Sequence, residues 1–241
     1  MHRSAPRLTR ILACAAVPVM LVVAGCSSDS DGETPGKGAA ESSAGSSKTP
    51  KDATPTVAPA KFAKLPEACK AITAKTVDAL VPKAKTKTGT AGKSTDLSSR
   101  SSCSWNGLVD KGLKGSEYRW LDVSFLRYES NPTLGSGEER ATENMAKEVA
   151  KLKATEGAKG VRESPANGVG DATTAVSYQL RKTSTDFVYA TTVARTGNVM
   201  IVINYNGAGY AGAEKPVAQK LMDSAVLATK DAVAAVAAAN K

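Results

Sequence analysis

The sequence predicts an α+β domain in which helices cover a mainly antiparallel sheet. Two observations predict this fold class. From residue 62 onward, segments with alternating apolar residues come in groups of two and three, and segments with helical spacing of apolar residues separate the groups. The strands within a group follow one another closely enough to pair as hairpins. The expected order is helix, two strands, helix, three strands, helix.

The first predicted helix ends at Pro82, because proline cannot continue a helix. Thr73 is a candidate N-cap residue, since its hydroxyl can accept from a free backbone N–H group of the first turn. The apolar face of this helix consists of Ile72, Val77, Leu80 and Val81. The polar stretch that follows is expected to be a solvated loop, and it contains Lys83, Lys85, Lys87 and Lys93.

The first group of strands is predicted at residues 101–107 and 117–128. One face of the second strand carries Leu121, Val123 and Phe125, and the other face carries Trp120, Leu126 and Tyr128. Because both faces are partly apolar, we expect this strand to be central and covered on both sides.

The next helix is the most clearly marked in the sequence. Ser136 and Glu139 have the spacing of a capping box, in which each side chain binds a backbone N–H group of the other residue. Glu143 and Lys147 form an i,i+4 pair on the exposed side. The apolar face consists of Ala141, Met145, Val149 and Leu152. Gly157 and Gly160 are expected to close this helix.

Three strands and a last helix complete the predicted domain. Apolar residues alternate with polar ones in residues 176–180 and 187–193, and Gly197-Asn198 turns the chain into a third strand at residues 199–205. The last helix is predicted at roughly residues 214–240, with Pro216 in its first turn, where proline is tolerated.

Residues 207–212 match the pattern G-x-G-x-x-G between a predicted strand and a predicted helix. The dinucleotide fingerprint also needs a second strand with an acidic residue about 20 residues further on. Here the predicted helix occupies the rest of the sequence, so we expect no cofactor. We interpret residues 207–212 as a flexible loop, with anion binding at the following helix as the weaker alternative.

The first 25 residues are typical of an export signal. Arg3, Arg7 and Arg10 precede an uncharged, mostly apolar run at residues 11–24. A helix of this length spans roughly 21 Å, which is less than the ~30 Å hydrocarbon core of a bilayer. A buried helix or an uncleaved anchor is the alternative, and the polar tract that follows at once argues against both.

Residues 21–26, Leu-Val-Val-Ala-Gly-Cys, resemble the bacterial lipobox. The resemblance implies a diacylglyceryl group on Cys26 and cleavage after Gly25. Two acyl chains bind a membrane stably, so the protein is expected on the extracytoplasmic face of the cell membrane as a lipoprotein. A secreted protein with a fortuitous cysteine is the alternative.

Residues 26–61 are rich in Ser, Gly, Ala, Thr and Pro, and they predict a disordered tether after the lipidated cysteine. Residues 62–241 then form one globular domain. Removal of residues 1–25 lowers the net charge from +9 to +6, which favours contact with anionic lipids or acidic wall polymers. Nucleic acid is not an expected partner, because no basic stripe is interleaved with aromatic residues.

The cysteines agree with export. Cys14 leaves with the signal peptide and Cys26 is the lipid site, so Cys69 and Cys103 remain. In an oxidising compartment these two can form a single disulfide, and two free buried thiols are the alternative.

No catalytic residue and no metal site is expected. His2 is the only histidine and leaves with the signal peptide, so the mature chain lacks an imidazole for a Ser-His-Asp or Cys-His arrangement. A Ser-Lys dyad has no recognisable setting, and Glu138-Glu139 complements a helix dipole. We therefore do not expect an enzyme.

Three aromatic residues are candidates for binding a ligand: Trp105, Trp120 and Tyr128. Packing in the core is the alternative for each of them. A solvent-exposed Trp120 would favour the binding function.

The pattern as a whole resembles the actinobacterial cell-envelope lipoproteins that share a domain of unknown function. The lipobox at Cys26, the polar tether, Cys69 and the run Cys103-Ser104-Trp105 carry this resemblance. The run Gly168-Val169-Gly170-Asp171-Ala172 also carries it, and the similarity covers about residues 65–210. It implies a Cys69–Cys103 disulfide and a surface location, and no catalytic residue.

These observations lead to two functional expectations. The first is a non-enzymatic module of the cell envelope that is anchored in the membrane and binds a small lipid-like ligand or an envelope protein. The alternative is a carrier or chaperone for a lipid or a cell-wall precursor, with a cavity between the sheet and the helices.

Overall fold

The structure is a computed structural model that describes residues 56–241 of the chain, and these residues belong to one compact unit. The predicted signal peptide, Cys26 and the tether up to residue 55 lie outside the described residues. The last part of the predicted tether, residues 56–61, contains no helix or strand. It nevertheless contacts the domain, because Ser130 Oγ donates a 2.6 Å hydrogen bond to the carbonyl oxygen of Ala58.

Seven strands form one antiparallel sheet with the order β1-β2-β3-β7-β6-β5-β4. The strands are β1 (Thr90–Ala91), β2 (Arg100–Asp110), β3 (Ser116–Arg127), β4 (Lys159–Pro165), β5 (Ala172–Lys182), β6 (Thr185–Thr196) and β7 (Val199–Tyr210). The helices are α1 (Ala68–Ala71), α2 (Ala74–Leu80), α3 (Gly137–Lys153) and α4 (Ala218–Ala239). The predicted α+β class with an antiparallel sheet is confirmed.

The two predicted helix caps are confirmed. The Thr73 side chain accepts a hydrogen bond from the backbone N–H of Thr76 at the start of α2. Ser136 and Glu139 form a complete capping box at the start of α3. The prediction for Pro216 is wrong, because α4 begins at Ala218 and Pro216 therefore lies outside its first turn.

The first face of the sheet is covered by helices. α4 packs on β6 and β7, and α1 packs on β2. The space between them is filled by one apolar cluster, whose fully buried members include Trp105, Leu121, Val123, Phe125, Ile201, Ile203 and Val236. The disulfide between Cys69 and Cys103 joins α1 to β2 beside this cluster.

The second face of the sheet is covered only in part. α3 packs there, and Met145, Val149 and Leu152 meet a cluster that includes Val176, Val193, Met200 and Val202. β3 is an interior strand, as expected, but cover on both sides is wrong for the half of β3 that contains Trp120. Within residues 56–241, α3 is the only helix on this face, and Trp120 keeps 37% of its surface exposed.

The sequence did not predict β1 and β4, which lie at the two edges of the sheet. Every residue of β4 is exposed, so the strand shows no alternation of apolar and polar residues. The pattern that reveals a strand arises from burial of one face, and an exposed edge strand lacks it.

The glycine pattern at residues 207–212 is not the flexible loop that the sequence predicted, because β7 continues to Tyr210. Gly207 and Gly209 point to the first face, where the chain passes very close. A Cβ at Gly209 would lie 2.5 Å from the backbone oxygen of Glu214 and still closer to that of Ala213. Gly209 therefore allows the segment between β7 and α4 to fold back over the strand, whereas a Cβ at Gly207 would meet the carbonyl oxygen of Tyr118 on β3.

The run Gly168–Ala172 has a structural role next to the β6–β7 turn. Asp171 accepts a 2.6 Å hydrogen bond from the backbone N–H of Gly197 and a 3.2 Å bond from Arg195. Gly170 has a φ of 63°, and a Cβ there would lie 2.6 Å from the carbonyl oxygen of Arg195. The motif therefore attaches the start of β5 to the turn that begins β7.

Two asparagines hold the chain where it enters the domain. Asn198 is fully buried, accepts a 2.7 Å bond from the N–H of Phe62 and donates to the carbonyl oxygens of Phe62 and Tyr128. Asn240 accepts from Ala63 and Lys64 and donates back to Lys64. The entry segment is thus fixed at the β6–β7 end of the sheet.

Candidate functional site

The uncovered part of the second sheet face forms a groove with a cavity volume of about 640 Å³. This volume falls in the range of roughly 300–1,000 Å³ that is typical of small-molecule sites. We call it the aromatic groove, and its lining consists of Tyr118, Trp120, Asp122, Tyr178, Lys182, Phe187, Tyr189, Asn204, Asn206 and Tyr210. Six of the eleven aromatic residues of the chain are in this lining.

Strand register brings these residues together. Trp120 on β3 is paired with Asn206 on β7, Asn206 with Tyr189 on β6, and Tyr189 with Tyr178 on β5. These four residues form a row across four neighbouring strands, which we call the cross-strand row. Neighbouring strands are about 4.8 Å apart, so the backbones of Trp120 and Tyr189 are about 10 Å apart with Asn206 between them.

The aromatic side chains support one another. The rings of Tyr178 and Tyr189 are stacked with centroids 4.9 Å apart. Phe187 and Tyr210 each pack edge-to-face with Tyr118, at 6.1 and 6.4 Å. Such contacts fix ring orientation, so the groove walls are ordered before any ligand arrives.

A hydrogen-bonded chain of polar side chains lies on the floor of the groove. The hydroxyl of Thr191 donates to the side-chain oxygen of Asn204 at 2.9 Å, and the Asn204 amide bonds to Asp122. Ser124 Oγ donates to Asp122 at 3.3 Å. Burial raises the pKa of Asp122 above its usual 3.8, and the bonds from Asn204 and Ser124 offset part of this rise.

Asn206 is the exception among the polar residues of the floor. Its side chain is only 9% exposed, yet it takes part in none of the hydrogen bonds found within residues 56–241. A carboxamide can donate two hydrogen bonds and accept two. No side-chain polar atom in residues 56–241 is both fully buried and without a partner, so the Asn206 amide opens to the groove and can bond to a ligand there.

The formal charges of the groove cancel, because its lining contains one acidic residue, Asp122, and one basic residue, Lys182. The Lys182 ammonium lies 5.3 Å from the centre of the Tyr189 ring in a cation–π contact. Burial raises the pKa of Tyr118 above 10, so this phenol is neutral at physiological pH.

The three aromatic candidates from the sequence occupy different places. Trp120 lies in the aromatic groove. Trp105 is 2% exposed in the core, where its indole N–H donates to the carbonyl oxygen of Lys87. Tyr128 packs against the α3 cluster, with the Arg140 guanidinium 5.8 Å from its ring. Only Trp120 is thus both exposed and grouped with other aromatic residues.

The sequence did not single out Tyr178, Phe187, Tyr189 and Tyr210 as site residues. Their positions alternate with apolar residues of the first face, so their shared side was readable strand by strand. What the sequence lacked was the strand order, which places β3 next to β7.

A larger cavity of about 1040 Å³ lies beside the loop at residues 92–99, but its lining has only one aromatic residue, Phe125, for contact with a ligand. Its lining is mostly small polar residues. Hydrogen bonds from Ser98 and Ser99 lower the pKa of Asp96 to about 2 and bind its carboxylate within the loop itself. In the described part of the chain, no group of three or more His, Cys, Asp and Glu residues could hold a metal ion.

The fold and the site define an α+β domain with one antiparallel sheet and an aromatic groove on its partly uncovered face. A family model described as "Protein of unknown function (DUF3558)" matches residues 21–186, which is more than half of the chain. The chain belongs to this family. The match begins at the first residue of the lipobox-like segment and ends at the second residue of β6. The groove residues outside it are Phe187, Tyr189, Asn204, Asn206 and Tyr210.

Among solved structures, a similarity exists to LpqN of Mycobacterium tuberculosis, described as involved in cell envelope biogenesis. It covers 56% of this chain and 84% of that chain, with 14% identity and a TM-score of 0.33. None of the curated proteins matches the chain. No helix between residues 56 and 241 is long and apolar enough to cross a bilayer.

Proposed function

We propose that this chain is a non-enzymatic binding module of an actinobacterial cell envelope, anchored by a lipid on Cys26 and binding its ligand in the aromatic groove. The observation that carries the proposal is the grouping of six aromatic side chains in one groove, five of which are at least partly exposed. Soluble domains normally bury such residues, and a contiguous aromatic surface bordered by polar groups is typical of a binding site.

The side chains of the groove suit binding better than catalysis. Its lining offers aromatic rings, two amides, one carboxyl group and one ammonium group, and it includes no Ser, Cys or His. Covalent catalysis commonly uses a Ser or Cys nucleophile activated by a His base, and the groove lining contains no such pair. Recognition through ring contacts and hydrogen bonds needs no further group.

The location part of the proposal is supported by the sequence. The lipobox-like segment at residues 21–26 follows a typical signal sequence, and the family match begins at the same residue. The Cys69–Cys103 disulfide fits an oxidising compartment outside the cytoplasm. Partners are therefore expected at the outer surface of the cell membrane.

The packing of the domain favours a binding module over a carrier with an internal lipid chamber. Both spaces between the sheet and its helices are filled by apolar side chains, one cluster on each face. A lipid chain placed in either space would have to displace these side chains, which are packed at protein-interior density.

The test is sedimentation with insoluble envelope material from the organism that makes the protein. The chain from Ser27 onward, purified without lipid, is mixed with this material, and the bound fraction is measured over a range of protein concentrations. Trp120→Ala is expected to weaken binding by about 2 kcal/mol, or roughly thirtyfold, as is usual for a central aromatic contact.

Leu134→Ala is the matched control, because Leu134 is 61% exposed and lies outside the groove. It should bind like the unaltered chain. Equal binding by the Trp120→Ala variant would show that the aromatic groove is not the binding site.

A further inference from the structure

We infer that the ligand of the aromatic groove is a neutral glycan, whose sugar rings stack on Trp120 and Tyr189 while its hydroxyl groups bond to Asn206. This inference rests on the proposed function and names the chemical class of its ligand. Three features of the groove carry it: the spacing of the cross-strand row, the unpartnered amide of Asn206, and the cancelling charges of the lining.

The cross-strand row has the arrangement that a pyranose ring requires. A sugar ring has flat faces of C–H groups and a rim of hydroxyl groups. Aromatic faces carry negative charge density and attract such C–H groups. In the row, Asn206 lies between Trp120 and Tyr189 on directly neighbouring strands, so a ring in contact with either aromatic residue places hydroxyl groups over the amide.

The polar floor requires a ligand that both donates and accepts hydrogen bonds. The Asn206 side chain has no hydrogen-bond partner within residues 56–241, and its amide atoms are accessible from the groove. Asn204 and Asp122 also line the groove, and the Asp122 carboxyl group accepts hydrogen bonds. Each sugar hydroxyl can donate one bond and accept two, so a row of hydroxyl groups satisfies amide and carboxyl groups together.

The same floor disfavours an acyl chain. Covering Asn206 and Asp122 with hydrocarbon would remove water from both groups and offer no replacement hydrogen bond. The binding free energy that an apolar ligand gains from the aromatic side chains would therefore be offset by the cost of covering these two polar groups.

The charges of the groove disfavour a charged ligand. Asp122 and Lys182 cancel formally, so the lining attracts neither sign. A quaternary ammonium ligand would compete for aromatic faces with the Lys182 ammonium, which already lies 5.3 Å from the Tyr189 ring. A neutral ligand is not repelled by the charge of this ammonium group.

The test treats the envelope material chemically before the sedimentation assay. Periodate cleaves vicinal diols and so destroys most sugar rings, organic solvent removes lipids, and protease removes proteins. Binding of the chain from Ser27 onward is expected to weaken by about tenfold or more after periodate, and to change by less than about twofold after the other two treatments.

Two variants connect the result to the groove. Asn206→Ala is expected to weaken binding to untreated material about tenfold, and Trp120→Phe is expected to retain most of the affinity that Trp120→Ala loses. Soluble neutral oligosaccharides should also protect Trp120 from acrylamide quenching of its fluorescence, while Trp105 is already shielded by the core.

The outcomes separate this inference from the proposed function. If periodate has no effect, or if lipid extraction or protease abolishes binding, the glycan is the wrong ligand class and the binding function stands. If untreated envelope material does not bind at all, both the glycan and the proposed function are wrong.

Discussion

Asp122 is a partly buried carboxyl group in the groove, and its burial carries a cost in stability. Its carboxyl lies on the sheet floor, where burial raises its pKa and hydrogen bonds from Asn204 and Ser124 lower it to a smaller extent. Above this raised pKa the folded state holds a charge that water would solvate better. A residue kept only for packing would not carry this cost.

Asp122→Asn is expected to raise the melting temperature at pH 7, because it removes the buried charge and keeps an acceptor for Asn204. Because the folded-state pKa is raised, the free-energy cost of the buried charge is present above that pKa. It disappears as the pH falls below 3.8, where the carboxyl is protonated in both the folded and the unfolded state. The stability gain should therefore shrink between neutral pH and about pH 4, as measured by thermal unfolding at several pH values.

Asp223→Asn is the comparison, since Asp223 is exposed on α4 and accepts a hydrogen bond from Gln219. A gain for Asp122→Asn that is independent of pH would contradict the role of the buried charge.

At the scale of elements, the long strands and helices were predictable and the edges were not. β3, β5, β6, α3 and α4 bury one or two faces, and burial imposes the apolar periodicity by which they were recognised. β1 has two residues and β4 is fully exposed, so neither leaves such a pattern. Pro216 was compatible with the first turn of a helix. In the structure Ala213 and Glu214 lie against Gly209 of β7, and α4 begins only at Ala218.

The glycines at the end of β7 allow a direct test of their structural role. Gly209→Ala should destabilise the domain by about 3 kcal/mol, because the new Cβ would meet the backbone oxygens of Ala213 and Glu214, which have little freedom to move. Urea unfolding measures this loss.

Gly212→Ala is the matched change within the same motif. Gly212 has a φ of +93°, but no atom lies within 4 Å of the position that a Cβ would take there, so only backbone strain of about 1 kcal/mol is expected. Equal losses for the two variants would mean that the close return over β7 is not what requires Gly209.

The candidate site was predictable only in part for a related reason. Trp120 was identified because its place on the second face follows from alternation within β3. The cross-strand row also needs Asn206, Tyr189 and Tyr178, which come from the consecutive strands β7, β6 and β5, far from β3 in the sequence. Their meeting depends on strand order and register, which are set by the whole sheet.

At the scale of the whole molecule, lipidation at Cys26 remains a prediction from the sequence. Cells that express the full chain and receive an alkyne-bearing fatty acid should label the protein, and Cys26→Ser should abolish the label and release the protein from the membrane fraction. Cys14→Ser is the matched control, because Cys14 lies in the apolar run that precedes Cys26, and its replacement should not affect labelling. A labelled Cys26→Ser variant would contradict the proposed anchor.

The position of the disulfide has a mechanical consequence. The chain enters at Phe62, at the end of the sheet where β7 begins, whereas the groove occupies the other half of a strand about 40 Å long. If a lipid pulls on the N-terminus while a ligand is held in the groove, the load passes from residue 62 to Cys69 and enters β2 through Cys103. β2 transmits it to β3 along the strand direction, so their ladder of hydrogen bonds is loaded in shear and shares the force instead of opening one bond at a time.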